Sequence, residues 1–175
     1  MDATIATIIG ATIGLAGTTL GSLIANFLGE DYKRFRDAQA LAGGLAGELA
    51  SHAEGAAMMR PLLDTLIAQV AAGTPIAPTP QEKPVSRFYD ANVSKIGLLG
   101  ASAAEQVVRT YDLINAFRLA MGRLYDADKT EQSMQLGHLH VARWALGKAA
   151  EGAGLIDRLH AFAGRGYRPF RRWDA

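Results

Sequence analysis

The sequence predicts an all-α protein: an N-terminal transmembrane helix followed by a small antiparallel helical bundle. Three observations predict it. Residues Ala3–Leu28 are 26 consecutive positions without a charged side chain. Apolar and small residues then recur at three-to-four spacing from Phe35 to Val70, and again over residues 104–124 and 139–156. No alternating run bounded by turn residues occurs, so nothing reads as a strand. The 175 residues fit one domain with an appendage. A composition of 49 % hydrophobic and 20 % charged residues excludes a disordered or collagen-like polymer. Without Cys, disulfides, thiolate metal sites, iron–sulfur clusters and Cys nucleophiles are excluded. A net charge of +1 gives no global field that points to nucleic acid.

The first element is residues 1–29. As a helix, its uncharged run reaches roughly 39 Å, enough for a hydrocarbon core of about 30 Å. Met1-Asp2 and the missing early Lys or Arg argue against a signal peptide. Gly10, Gly14, Gly17 and Gly21 form two small-xxx-small pairs, the pattern that lets helix backbones approach one another in lipid. Lys33, Arg34 and Arg36 follow the span and no basic residue precedes it, so the positive-inside rule places the N-terminus outside and the C-terminus in the cytoplasm. Tyr32 joins these three as an interfacial anchor. The expected location is the bacterial inner membrane, crossed once.

Residues 30–72 read as a helix continuing from the membrane. Its stripe runs Phe35, Ala38, Ala42, Leu45, Leu49, His52, Ala56, Met59, Leu63, Leu66, Val70. Pro61 is expected to bend or restart it near Met58–Arg60. Four prolines make residues 73–85 a stiff connector. Residues 86–163 read as a helical hairpin or bundle. Ser86 is expected to cap a helix from Arg87 to about Ile96, closed by Gly97–Gly100. Ser102-Ala-Ala-Glu105 reads as a capping box opening a helix to about Tyr125. Its stripe is Ala104, Val107, Tyr111, Ile114, Phe117, Met121 and Leu124. Thr130 is expected to cap one last long helix to about Phe162, with Leu139, Ala142, Leu146, Ala149, Ala153 and Ile156 inward.

Chemistry is sparse. His138 and His140 are two apart on a helix and cannot share a metal. Glu48 and His52 share a face, but a di-metal bundle needs Glu-x-x-His twice over. His52 reads as a polar seam residue and His160 as a helix-end charge. No nucleophile elbow, phosphate loop or Ca²⁺ loop is present. The expectation is a protein that is not an enzyme, with no catalytic residues, metal ligands or cofactor.

Residues 164–175 form an Arg/aromatic tail with four Arg and three aromatics in twelve positions. Arg165, Tyr167, Arg168, Phe170, Arg171, Arg172 and Trp173 suit a partner protein surface or an anionic lipid surface. So short a footprint makes nucleic acid the least favoured partner. The stretch FYDANVSKIGLLGASAAEQVVRTYDLI, residues 88–114, together with the overall layout, resembles uncharacterised bacterial single-pass membrane proteins with a short helical cytoplasmic domain. That resemblance implies an architecture and no site residues. The expected function is a non-enzymatic accessory or scaffolding subunit of a membrane assembly, whose partners are other membrane subunits. Two alternatives come from other classes: a phage-type membrane-active component, and a ligand-sensing helical domain with His52 or Tyr111 lining a bundle cavity.

Overall fold

A computed structural model describes residues 3–76, 85–126 and 131–169. The described residues form helices joined by turns and short irregular stretches, with no strand among them. Helix α1 spans Ala3–Ala71, α2 Arg87–Asn92, α3 Ala101–Asp126, α4 Gln132–Ala150 and α5 Ala153–Ala163, with a 3₁₀ segment at Val93–Leu99 between α2 and α3. Most of the connector (residues 77–84) and Thr130 lie outside the described residues.

Helix α1 is one unbroken rod of 69 residues, about 100 Å long. The two expected elements, residues 1–29 and 30–72, are therefore a single helix. It also passes through Pro61 without restarting. The proline leaves the carbonyl of Ala57 without its helical partner, and Ala57 faces solvent, where water can take that bond. Gly73 then ends α1 in the left-handed region at φ 87°. The Gly73 N–H donates to the Val70 carbonyl at 3.0 Å and the Thr74 N–H to Gln69 at 3.1 Å, a closure that needs a residue without Cβ.

From Asp31 onward α1 is the spine of a bundle. Helix α3 runs alongside it in the same direction: Tyr111 meets Glu48, and Met121 and Leu124 pack with Leu63 and Val70. Helices α4 and α5 return in the opposite direction, from Gln132 at Val70 to Phe162 and Tyr167 at Gln39 and Asp31. The expected final helix is thus two helices, broken at Glu151–Gly152. The break redirects the buried face to Leu155, Leu159 and Phe162, leaving Ala149 and Ile156 only partly buried.

The core has two parts. In the first, Phe35, Ala38, Leu41, Ala42, Leu45, Ala46 and Leu49 of α1 face α5, the 3₁₀ segment and the first half of α3. In the second, Leu63 and Val70 face the ends of α3 and α4. Between them α1 reads Ala-Ser-His-Ala-Glu-Gly-Ala-Ala, with no large apolar side chain.

Residues 3–30 project beyond the bundle as an arm of about 42 Å. Wherever its side chains are described they are exposed or, at Leu28, half-buried, with Leu15 73 % and Phe27 63 % exposed. Among the described residues no helix is long and apolar enough to cross a membrane. The span expected over residues 1–29 is not met there. Gly14, Gly17, Thr18, Thr19, Gly21, Ser22 and Asn26 dilute the Leu and Ile of that stretch, and Glu30 and Asp31 end the uncharged run.

Candidate functional site

The two parts of the core leave a cavity of about 430 Å³ where α1 lacks bulk. His52, Gly55, Ala56 and Met59 of α1 form one wall. Thr110, Ile114, Phe117 and Arg118 of α3 form the second, and Ala149, Gly152 and Ile156 at the α4–α5 break form the third. Exposed Ala53, Ala57 and Arg60 rim its mouth. The lining is mostly apolar, and no carboxylate among the described residues contributes to it.

Beside the cavity lies a polar cluster centred on Glu48. Its Oε1 accepts the Phe88 N–H at 2.9 Å, and its Oε2 accepts the Tyr89 N–H at 3.0 Å and the Tyr111 hydroxyl at 2.7 Å. Two of these donors are free N–H groups of the first turn of α2, so a side chain from α1 caps that helix. The Tyr89 ring stacks on Tyr111 at 3.8 Å between centroids, and His52 meets Tyr111 edge-on at 6.2 Å. Burial acts to raise the Glu48 carboxyl, but the bonds from Tyr111, Phe88 and Tyr89 and the nearby His52 outweigh it, and the net shift is downward. The Tyr111 hydroxyl is pushed far up by burial and by its bond to Glu48. Burial, with Arg118 nearby, lowers His52 against the pull of Glu48. The cluster therefore holds an ionised carboxylate, a neutral phenol and an imidazole biased to neutrality at pH 7.

Ser86 does not cap α2 through its side chain. It is 2 % exposed, and its hydroxyl pairs with His52 Nε2 at 3.3 Å. A Ser–His pair suggests a nucleophile and base, but Ser86 is sealed from solvent and does not line the cavity. Its contact positions His52. Among the described residues no group of three His, Asp or Glu is placed to hold a metal. The Ser102–Glu105 capping box is likewise not formed. Helix α3 begins at Ala101 behind Gly100, whose φ is 85°, and Ser102 instead accepts from Gln106 at 3.4 Å.

No family model, curated protein or solved structure matches this chain. Its residues must therefore be read on their own geometry.

The expected docking glycines all lie on α1, and Gly14, Gly17 and Gly21 have nothing within 4 Å of where a Cβ would stand. Lys33, Arg34 and Arg36 are exposed at the base of the arm. Tyr32 is 48 % exposed and meets Tyr167 edge-on at 5.1 Å. The start of the tail folds back on α1. The Tyr167 hydroxyl donates to Asp31 at 2.6 Å, its ring packs on Phe35 at 5.4 Å, and Arg165 lies over the Phe162 ring at 5.6 Å. Tyr167 is therefore a brace between the tail and the arm's base. Arg168 is exposed, while Phe170, Arg171, Arg172 and Trp173 lie outside the described residues.

Two residues escaped the sequence reading. Gln39, 7 % exposed, sets its Nε2 within reach of the carbonyls of Ala163, at 3.0 Å, and Arg165, at 2.6 Å, closing the end of α5. Arg118 lines the cavity, and its Nη2 is buried with no hydrogen-bond partner. A signal for Arg118 existed: the spacing Tyr111, Ile114, Arg118, Met121 fits the stripe as well as the path through Phe117.

Proposed function

We propose that the protein is a non-enzymatic accessory or scaffolding subunit of a larger membrane assembly, held there by the arm of α1. One observation carries this reading: the arm is uncharged from Ala3 to Leu28, every side chain described before Leu28 is exposed, and the arm is continuous with the spine of the bundle. Standing free in water, such a helix exposes Leu20, Leu23, Ile24 and Phe27 without return.

The arm's polar groups support the same setting. Thr18 donates to the Gly14 and Leu15 carbonyls at 3.1 and 3.0 Å, Thr19 to Leu15 at 2.7 Å, and Ser22 to Thr18 at 2.9 Å. Hydroxyls satisfied inside their own helix cost little in an apolar surrounding. The modest apolarity of the described stretch favours an arm packed among other helices over a lone lipid-facing span. The open face at Gly14, Gly17 and Gly21 suits close backbone contact. Exposed Lys33, Arg34 and Arg36 would mark the cytoplasmic boundary. The bundle would then stand in the cytoplasm beside the assembly.

The test is membrane fractionation with a carbonate wash, followed by cross-linking on intact membranes, for wild type and for Gly14→Leu/Gly17→Leu. The reading predicts a carbonate-resistant wild type with defined cross-linked species that the double substitution depletes, while the bundle keeps its circular dichroism. Release of the wild type into the soluble fraction contradicts it.

A further inference from the structure

We propose that the cavity between the two parts of the core binds an uncharged, hydrocarbon-rich small molecule such as a fused-ring aromatic. Its volume of about 430 Å³ falls within the usual range of small-molecule sites. The space is made by small residues on two of its walls, Gly55 and Ala56 on α1 and Ala149 and Gly152 at the α4–α5 break. Met59, Ile114, Phe117 and Ile156 border it. All four are only partly buried, although Leu49 and Leu63 on either side along α1 are fully packed. Protein interiors normally pack to crystal density, and a gap left unfilled costs stability. An apolar occupant would take the four side chains out of water and bring this level of the bundle up to the packing of its neighbours.

The uncharged class follows from the polar side chains of the lining, which are Ser51, His52, Arg60, Thr110 and Arg118. Ser51 and Arg60 are exposed. The Thr110 hydroxyl donates to the Gln106 carbonyl at 2.8 Å, and His52 Nε2 pairs with the Ser86 hydroxyl at 3.3 Å. Burial holds the His52 ring toward its neutral form. Arg118 donates through Nη1 to Asn115 at 3.2 Å, its Nη2 is sealed from the space, and Asp90 and Glu48 already act on its charge. No carboxylate among the described residues lines the cavity, so a cation has no partner there. An ion of either sign would shed its hydration against mostly apolar walls, whereas a hydrocarbon surface makes no such demand. The inference is independent of the arm, because every lining residue belongs to the bundle.

The probe is 1-methylnaphthalene, with 1-naphthoate and 1-naphthylmethylammonium as charged counterparts on the same rings. Each is titrated into the full-length protein labelled at its Ile and Met methyl groups. Methyl NMR reads the protein itself, so probe dissolved in lipid does not imitate binding, and the result holds in nanodiscs or in buffer alike. Expected are saturable shifts of the Met59, Ile114 and Ile156 methyls, while Ile96, buried in the first part of the core outside the lining, stays in place. The hydrocarbon should bind at least about tenfold more tightly than either ion. Gly55→Phe is expected to remove the shifts at the same probe concentrations. A Cβ at Gly55 meets nothing within 4 Å, Phe suits a helix better than Gly, and its ring fills space the probe would take. An Ile96 methyl at its wild-type position reads an intact fold in that variant. No saturable shift in the wild type, an ion that binds as tightly as the hydrocarbon, or shifts undiminished in folded Gly55→Phe each overturns the proposal.

Discussion

Replacing Glu48 with Ala should destabilise the bundle more than any other single polar substitution in it. The change removes an acceptor that holds three donors at 2.7–3.0 Å. It uncaps the first turn of α2, a loss of about 0.5–2 kcal/mol. It also strands the Tyr111 hydroxyl, on a residue with 0 % exposure, at about 1–3 kcal/mol. Relief of the carboxylate's own burial offsets part of this, and neighbouring losses do not add in full. The net expectation is about 3 kcal/mol, or a fall in Tm of roughly 6–12 °C for a chain of this size. Tyr111→Phe removes one bond and its donor together, so it should cost only about 1 kcal/mol. The decisive assay is a double-mutant cycle by urea unfolding at 222 nm. In the Tyr111→Phe background Glu48→Ala should cost at least about 1 kcal/mol less, because no hydroxyl is then left unpaired. Additive losses, or a Glu48→Ala variant as stable as wild type, would refute the claim that Glu48 ties α1, α2 and α3 together.

Other outcomes follow from the same packing. The Phe88 ring lies against Gly44, and a Cβ there would collide with it, whereas a Cβ on Gly43 meets only Ala163 at 3.7 Å. Gly44→Ala should therefore destabilise by about 1–2 kcal/mol, and Gly43→Ala should be neutral or stabilising by up to about 1 kcal/mol, read from urea midpoints. Glu48 and His52 both lie below their ordinary values of 4.5 and 6.5 in the folded state, so the unfolded chain binds more protons in each window. Stability should fall on acidification, first from about pH 6.5 downward through His52, then from about pH 4.5 through Glu48. His52→Gln should flatten the first step alone in a series of melts against pH. Tyr167→Phe should loosen the tail from Asp31, seen as faster amide exchange at residues 164–169 with little change in global stability.

The stripes of α1 and α3 were legible because each repeats over several turns, and the residues they name are largely those buried. Several helix ends were legible as well, α1 near residue 71, the start of α2 at Arg87, α3 near residue 126 and α5 near residue 163, but the side chains that cap them were not, for one shared reason. Ser86 and Ser102 look like local caps, yet α2 is capped by Glu48, the end of α5 by Gln39, and the end of α1 by Gln132, which reaches the Val70 carbonyl at 2.7 Å. These partners lie 40 or more residues away along the chain, and spacing rules see only neighbours. The α4–α5 break was hidden because Gly152 sits in a run of Ala and Gly that keeps helical periodicity on both sides. His52 at the cavity could be anticipated as a polar interruption of an apolar stripe. Tyr111, expected at the cavity on the same grounds, instead points to Glu48 and forms no part of the lining.

The central claim, that the arm of α1 packs against other helices in a membrane, is tested most directly by site-specific photo-cross-linking. A benzophenone side chain would be placed singly at each position from 14 to 24 in cells, and adducts resolved by mass. The account predicts protein adducts that rise and fall with helical period and peak on the face of Gly14, Gly17 and Gly21. Adducts spread evenly around the helix, or no protein adduct at any position, would contradict it.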